Sequence, residues 1–237
     1  MDYSKWLDEK GYPGCRQDDG SWDGGDTAAI LGTIMALSPA LTELIVKPLP
    51  EACPYDVVYH QPLRHPDRKK WYGLPHRYSR DQLIAMLCGA MMAGVALDNV
   101  FRAHRERWFV TAWNTRKNGV VETPWKFPDI CGPEVWALWI RFYKPWWGWF
   151  VLTFLDVETL VGAITWRWFQ PKTNQICRNH MLVSFVMRRR QPSLLTPFIQ
   201  AINDYPEMIA RWRASNEATG EFPTADLFAD FLGIPKP

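Results

Sequence analysis

Apolar residues recur at helical spacing along most of the chain, and prolines and glycines cut them into segments. Residues 27–37, TAAILGTIMAL, predict a helix stopped by Ser38-Pro39, with 41–46 adding a turn or two before Pro48. Helix resumes at Ser79 and is expected to run to about Trp108. After a polar section at 114–129, further helices are expected over 133–142, 174–190, 196–202, 205–215 and 224–232. The break at Lys144-Pro145 starts another, read as one long helix from Trp146 to about Phe169. An opening helical turn near 3–9 leads into loop through residue 25. No run of alternating strands and no internal repeat stands out, so the chain reads as mainly α, a single helical domain over 1–237.

Segments 27–37 and 82–97 are rich in Ala, Gly and Met and apolar nearly all round, the pattern of helices enclosed by others. Trp136, Trp139, Trp146, Trp147, Trp149, Trp166 and Trp168 sit on later, bulkier helices. Small residues inside and aromatic ones outside are what helical hairpins in an α/α toroid-like fold would require. An irregular helical bundle satisfies the same pattern. Either form carries a long loop at 48–78, whose prolines exclude regular structure and whose aromatics argue for order.

Composition narrows the classes. Of 237 residues, 47% are hydrophobic and 22% charged, which excludes a disordered chain. The formal net charge of +2 gives no strong field for nucleic acid, and Arg188, Arg189 and Arg190 close a helix where positive charge is favourable anyway. Five cysteines form no CxxC pair, and neither H-x3-H nor HExxH occurs, so no metal site or cofactor is expected from them. Residues 1–10 carry three acids and no apolar run, so a cytoplasmic or otherwise soluble protein without a signal peptide is expected. The apolar stretches 82–97 and 145–155 hold 16 and 11 residues, short of the ~18–20 that span a bilayer. Both read as buried helices rather than transmembrane spans, with a surface-lying aromatic helix as the alternative.

The sharpest candidate chemistry is the loop DDGSWDGGDT at 18–27, four carboxylates among three glycines immediately before a helix. Carboxylates so close push one pKa upward, which supplies the acid or base for activating water at a sugar carbon. The D-x-G-D pattern leading into an apolar helix resembles the catalytic-base motif of family-nine glycoside hydrolases. That resemblance covers about ten residues and implies an (α/α)6 toroid in which Asp23 and Asp26 hold and deprotonate the attacking water; no glutamate here matches that family's acid. Asp19 and Trp22 would then contact substrate. Helix capping by Asp26, turn formation, or oxygen ligation of calcium would use the same residues.

Two more polar clusters open apolar helices: Arg77, Arg80, Asp81 and Gln82, and then Asn179 and His180 after Arg178. Ser79 with Gln82 fits a capping box, which leaves Arg80 and Asp81 unexplained. If the three helices run parallel in an inner layer, Asp23/Asp26, Arg80/Asp81 and Asn179/His180 converge on one mouth, as ligand pockets do. Asp81 and His180 would serve as proton partners. Arg64 and His65, in the basic and aromatic stretch 64–73, could cover a sugar or phosphate, although such loops are commonly just solvated.

The expectation is therefore a hydrolase-like helical protein acting on or binding a glycan or polyhydroxy ligand. The alternative is a non-enzymatic interaction or assembly protein, possibly peripheral to a membrane, working through its Trp-rich helices. Nucleic-acid binding through 64–80 and 188–190 is the third reading, and the oligomeric state is left open.

Overall fold

The computed structural model describes residues 3–16, 22–23, 27–37, 55–56, 61–62, 80–94, 112–114, 119–121, 133–169, 174–189 and 192–235. These residues are mainly helical, as the spacing of apolar positions predicts. A 3-10 turn, Ser4–Trp6, precedes the antiparallel pair β1 (Cys15–Arg16) and β2 (Trp22–Asp23), with Cys15 opposite Asp23. Two further pairs, β3 (Tyr55–Asp56) with β4 (Gln61–Pro62) and β5 (Ala112–Asn114) with β6 (Gly119–Val121), are also antiparallel and two or three residues long. They fall in segments read from the sequence as irregular. Pairings so short leave no alternation to detect.

The helices are α1 (Thr27–Leu37), α2 (Arg80–Ala93), α3 (Pro133–Tyr143), α4 (Gly148–Leu155), α5 (Val157–Phe169), α6 (Asn174–Arg189), α7 (Thr196–Ile202), α8 (Tyr205–Thr219) and α9 (Thr224–Leu232). Two expectations need correction. The helix expected from Ser79 is described from Arg80 and ends at Ala93, where Gly94 turns left-handed at φ +72° and stops the hydrogen-bonded ladder, while 95–108 lie outside the described residues. The long helix over 146–169 is two helices with a hitch at Asp156.

Helices α1, α2 and α6 form the interior. Every residue of α1 is buried, as are 84–91 of α2 and 180–187 of α6. The apolar core runs from Tyr12 through these helices to α8 and α9. Helix α2 touches α1, α3 and α6, while α6 also packs on α5, α7 and α8. The α1–α2 contact is closest because Gly32 and Gly89 bring backbone onto backbone. A Cβ on Gly32 would lie 2.5 Å from the Met86 nitrogen, and one on Gly89 would run into the Gly32 carbonyl. Only glycine fits there. At the start of α1 the Thr27 hydroxyl donates to the Pro13 carbonyl at 2.6 Å, tying the opening segment to the core.

Candidate functional site

Helices α4 and α5 are inside out. Their buried positions are Gly148, Leu152, Asp156, Thr159 and Ala163. Their exposed positions include Phe150, Phe154, Val157, Val161 and Trp168, with Trp146 and Trp149 at the leading end. Each set keeps a three-to-four-residue spacing. The outward face is therefore aromatic and aliphatic, and the inward face small or polar. Trp146 is 87% exposed, Phe154 64% and Trp168 67%. The segment 145–155, expected as a buried helix, is thus a surface helix whose large residues face out. Trp149, Phe150 and Phe154 touch edge-on along it, with centroids 5.9 and 5.2 Å apart.

Asp156 explains both the inversion and the hitch. Its carboxylate receives both terminal nitrogens of Arg141 on α3, at 2.9 and 2.5 Å, and both side chains are fully buried. The ladder carries past it, with the Asp156 amide donating to Leu152 at 2.8 Å and the Leu160 amide to Asp156 at 2.9 Å. The bidentate pair fixes which face of α4–α5 turns inward, and the rings are left outside. By composition and length, Gly148–Thr165 is apolar enough to cross a membrane, with a mean hydropathy of 1.4, and only 28% of it is buried.

At the far end of this face lies a groove of about 470 Å³, lined by Arg167, Trp168, Asn203, Asp204, Tyr205 and neighbouring residues. Its wall is held by a buried network. His180 Nε2 lies 2.7 Å from Asn203 Oδ1. Because the Asn203 amide donates to Ser184 Oγ at 2.8 Å, its oxygen is the acceptor, so Nε2 carries the imidazole proton. Ser184 Oγ also accepts from Gln200 at 2.8 Å, and the Tyr205 hydroxyl donates to Gln200 Oε1 at 2.9 Å. The Ser184 hydroxyl is then left to donate to Tyr205, 2.9 Å away. Burial pushes the His180 pKa down, and the bond to Asn203 opposes this only in part. The imidazole is accordingly a neutral bracket joining α6 to the α7–α8 connection. Gly162 of α5 approaches its other nitrogen so closely that a Cβ there would sit 3.1 Å away.

Of the sequence-predicted site residues, His180 alone has a described side chain. Trp22 and Asp23 are placed as strand residues opposite Arg16 and Cys15. Arg80, Asp81 and Gln82 open α2, and Asn179 lies on α6. The side chains of these six, and Asp19, Asp26, Arg64, His65 and Arg77 altogether, lie outside the described residues, as does the Ser79 capping box. Helix α8 gives a partial measure of the predicted convergence. His180 is tied to Asn203, just before α8 begins, whereas Cys15, the strand partner of Asp23, donates its thiol to Thr219 at the end of α8. The 1.5 Å rise per residue puts those two anchor points about 21 Å apart along the helix.

A second cavity, about 550 Å³, opens at that end of α8 and is lined by Trp6, Arg213, Asn216, Glu217, Glu221 and Asp226 among others. Arg213 Nε donates to Asp226 at 2.7 Å. No group of three His, Cys, Asp or Glu side chains suited to a metal occurs among the described residues.

Sequence reasoning did not find Asn203, Ser184, Gln200, Tyr205 or the Arg141–Asp156 pair. The buried pair had one readable signal, a single acid, Asp156, at helical spacing from Gly148 and Leu152 on the side opposite the aromatics; the network's members carry none. Compared with protein-family models, curated proteins and solved structures, the chain matches none of them.

Proposed function

We propose that the protein docks on a lipid bilayer through the outer face of α4–α5, which lies in the plane of the surface. The inversion of that face carries the reading. Large exposed apolar patches mark interaction sites, and at ~200 Å² per ring the five rings, on average about two-thirds exposed, offer on the order of 650 Å². Half-insertion of that area at ~25 cal/mol/Å² returns about 8 kcal/mol, the order of a micromolar equilibrium. Lipid suits the face better than a protein does. The stripe's polar groups are chiefly indoles at its two ends, where amphipathic rings meet the headgroup layer, and phenyl and valine fill the middle. Lys144 and Arg167, both exposed, flank it as snorkelling cations. An in-plane helix is favoured over a span because α6, packed against α5, carries exposed Arg188 and Arg189.

The test is flotation with vesicles of phosphatidylcholine and phosphatidylglycerol, 3:1. Wild-type protein should float, and Phe150→Ser/Phe154→Ser should stay at the bottom with an unchanged melting temperature. Wild-type protein that remains with the dense fraction refutes the reading. So does a double variant that floats as well as wild type, and so does a wild-type dimer that the same two substitutions dissociate.

A second reading, a hydrolase-like site for a glycan or polyhydroxy ligand in a toroid-like helical frame, is supported by the cavity at the end of α8. It combines the Trp6 ring with carboxylates and Arg213, and it neighbours the β1–β2 pair that carries Asp23. Asp23→Asn/Asp26→Asn should abolish turnover with little change in melting temperature; a large loss of stability would assign both residues to capping.

A further inference from the structure

We infer that the groove at the end of the aromatic face receives the zwitterionic headgroup of a membrane phospholipid, with phosphate on Arg167 and ammonium between Asp204 and Trp168; this rests on the bilayer reading above. Arg167 Nη1 and Asp204 Oδ2 are 3.5 Å apart, longer than the ~2.7–2.9 Å of a charge-assisted hydrogen bond. Both side chains are about half exposed, at 49% and 41%. Asp204 Oδ1 is committed to capping α8 through the Glu207 amide at 3.2 Å, so Oδ2 remains for a ligand.

Opposite charges held side by side discriminate among ligands. A simple anion on Arg167 meets the Asp204 carboxylate, and a simple cation on Asp204 meets the guanidinium. A molecule carrying a phosphate and an ammonium a few ångströms apart meets attraction at both. The exposed Trp168 indole, which lines the same groove, is a ring of the kind that attracts an ammonium. The floor is rigid, because Asn203 and Tyr205 spend their polar atoms on the His180–Ser184–Gln200 network. Source follows from position. Among the described side chains Trp168 is the last exposed ring of the face proposed to lie on lipid, so the groove sits at headgroup depth when the helix is docked.

The experiment titrates the full chain with glycerophosphoethanolamine, which has no acyl chains, and follows the indole N–H resonances. The Trp168 signal is assigned by its loss in Trp168→Phe. A saturable shift of that signal is expected, with affinity at least tenfold weaker in Arg167→Gln and in Asp204→Asn, the latter keeping a capping oxygen. Inorganic phosphate and ethanolamine, each alone, should bind at least tenfold more weakly than the zwitterion. No saturable shift, phosphate binding as tightly as the zwitterion, or variants of unchanged affinity would each overturn the inference. The two readings fail separately: Phe150→Ser/Phe154→Ser should lose flotation and keep the headgroup titration. A wild-type protein that titrates but does not float sinks the bilayer reading and the membrane as source, leaving a groove for a soluble zwitterion, and one that floats without titrating sinks only the headgroup site.

Discussion

Removing the carboxylate of Asp156 should be among the costliest single changes in the protein. Arg141 is fully buried and gives two of its nitrogens to that carboxylate, with the Ala137 carbonyl 3.4 Å from one of them. Asp156→Ala takes away the carboxylate that meets both terminal nitrogens of this buried guanidinium. Breaking a buried pair from one side costs about 3–5 kcal/mol, against a total stability of about 5–15 kcal/mol. Removing both charges is a different perturbation, since apolar replacements of similar volume are often neutral. Arg141→Met/Asp156→Leu should therefore recover most of what the single variant loses. Urea unfolding followed by fluorescence of the 14 tryptophans reads both effects. With a slope of about 3 kcal/mol/M, a loss of about 4 kcal/mol moves the midpoint down by roughly 1.3 M. A shift below about 0.3 M for Asp156→Ala would mean that the pair is solvated. A double variant no better than the single would mean that packing, not charge, is what the site supplies.

Other consequences can be checked with the same purified protein. Gly32→Ala gains about 1 kcal/mol of helix propensity, yet its Cβ meets the backbone of α2, which cannot swing aside as a side chain would. The net should be a loss of at least ~2 kcal/mol by thermal melting, and a stabilised variant would contradict the close approach. Burial holds the His180 pKa below its ordinary value, so the unfolded state takes up the proton first as pH falls. Stability contributed by neutral His180 is complete above about pH 6.5 and declines below it, by at most ~1.4 kcal/mol per pH unit, until the folded pKa is reached. His180→Gln should flatten the urea midpoint between pH 7 and 5 relative to wild type; equal slopes would refute the assignment. Burial also pushes the Cys88 thiol far up, only partly offset by Arg141, so Cys88 should resist a thiol reagent at pH 8 until urea is added.

Much of the frame was legible in the letters. Helices α1, α7 and α9 begin and end where Pro, Gly and apolar spacing put them, because local signals of that kind act within a turn. The interior role of α1 and α2 was legible too, since a helix apolar on nearly all sides has no face to give to water. What failed depends on distant partners. The hitch at Asp156 is set by Arg141, 15 residues earlier on another helix, and the apolar letters after Gly94 hid the stop at Ala93. Trp and Phe at helical spacing say that a stripe exists but not which way it points. The opposite side, where Gly148, Leu152, Asp156, Thr159 and Ala163 recur, did not settle it either, because small and polar residues ordinarily face water and it is Arg141 on another helix that turns this side inward. His180 was readable as a residue on a buried helix; Asn203 and Tyr205 were not, because nothing in a connection between helices announces which imidazole it will meet.

The clasp between the two extremities of the described chain governs the order in which the molecule can be assembled. Tyr3 stacks on Phe222 at 5.3 Å, Trp6 lies 6.0 Å from the same ring, and the Cys15 thiol reaches a carbonyl 204 positions downstream. During synthesis those early rings wait, bare, until α8 and the turn after it emerge from the ribosome. A premature stop codon anywhere before residue 222 would strand them permanently, so even a short truncation should yield a product that chaperones hold and proteases clear.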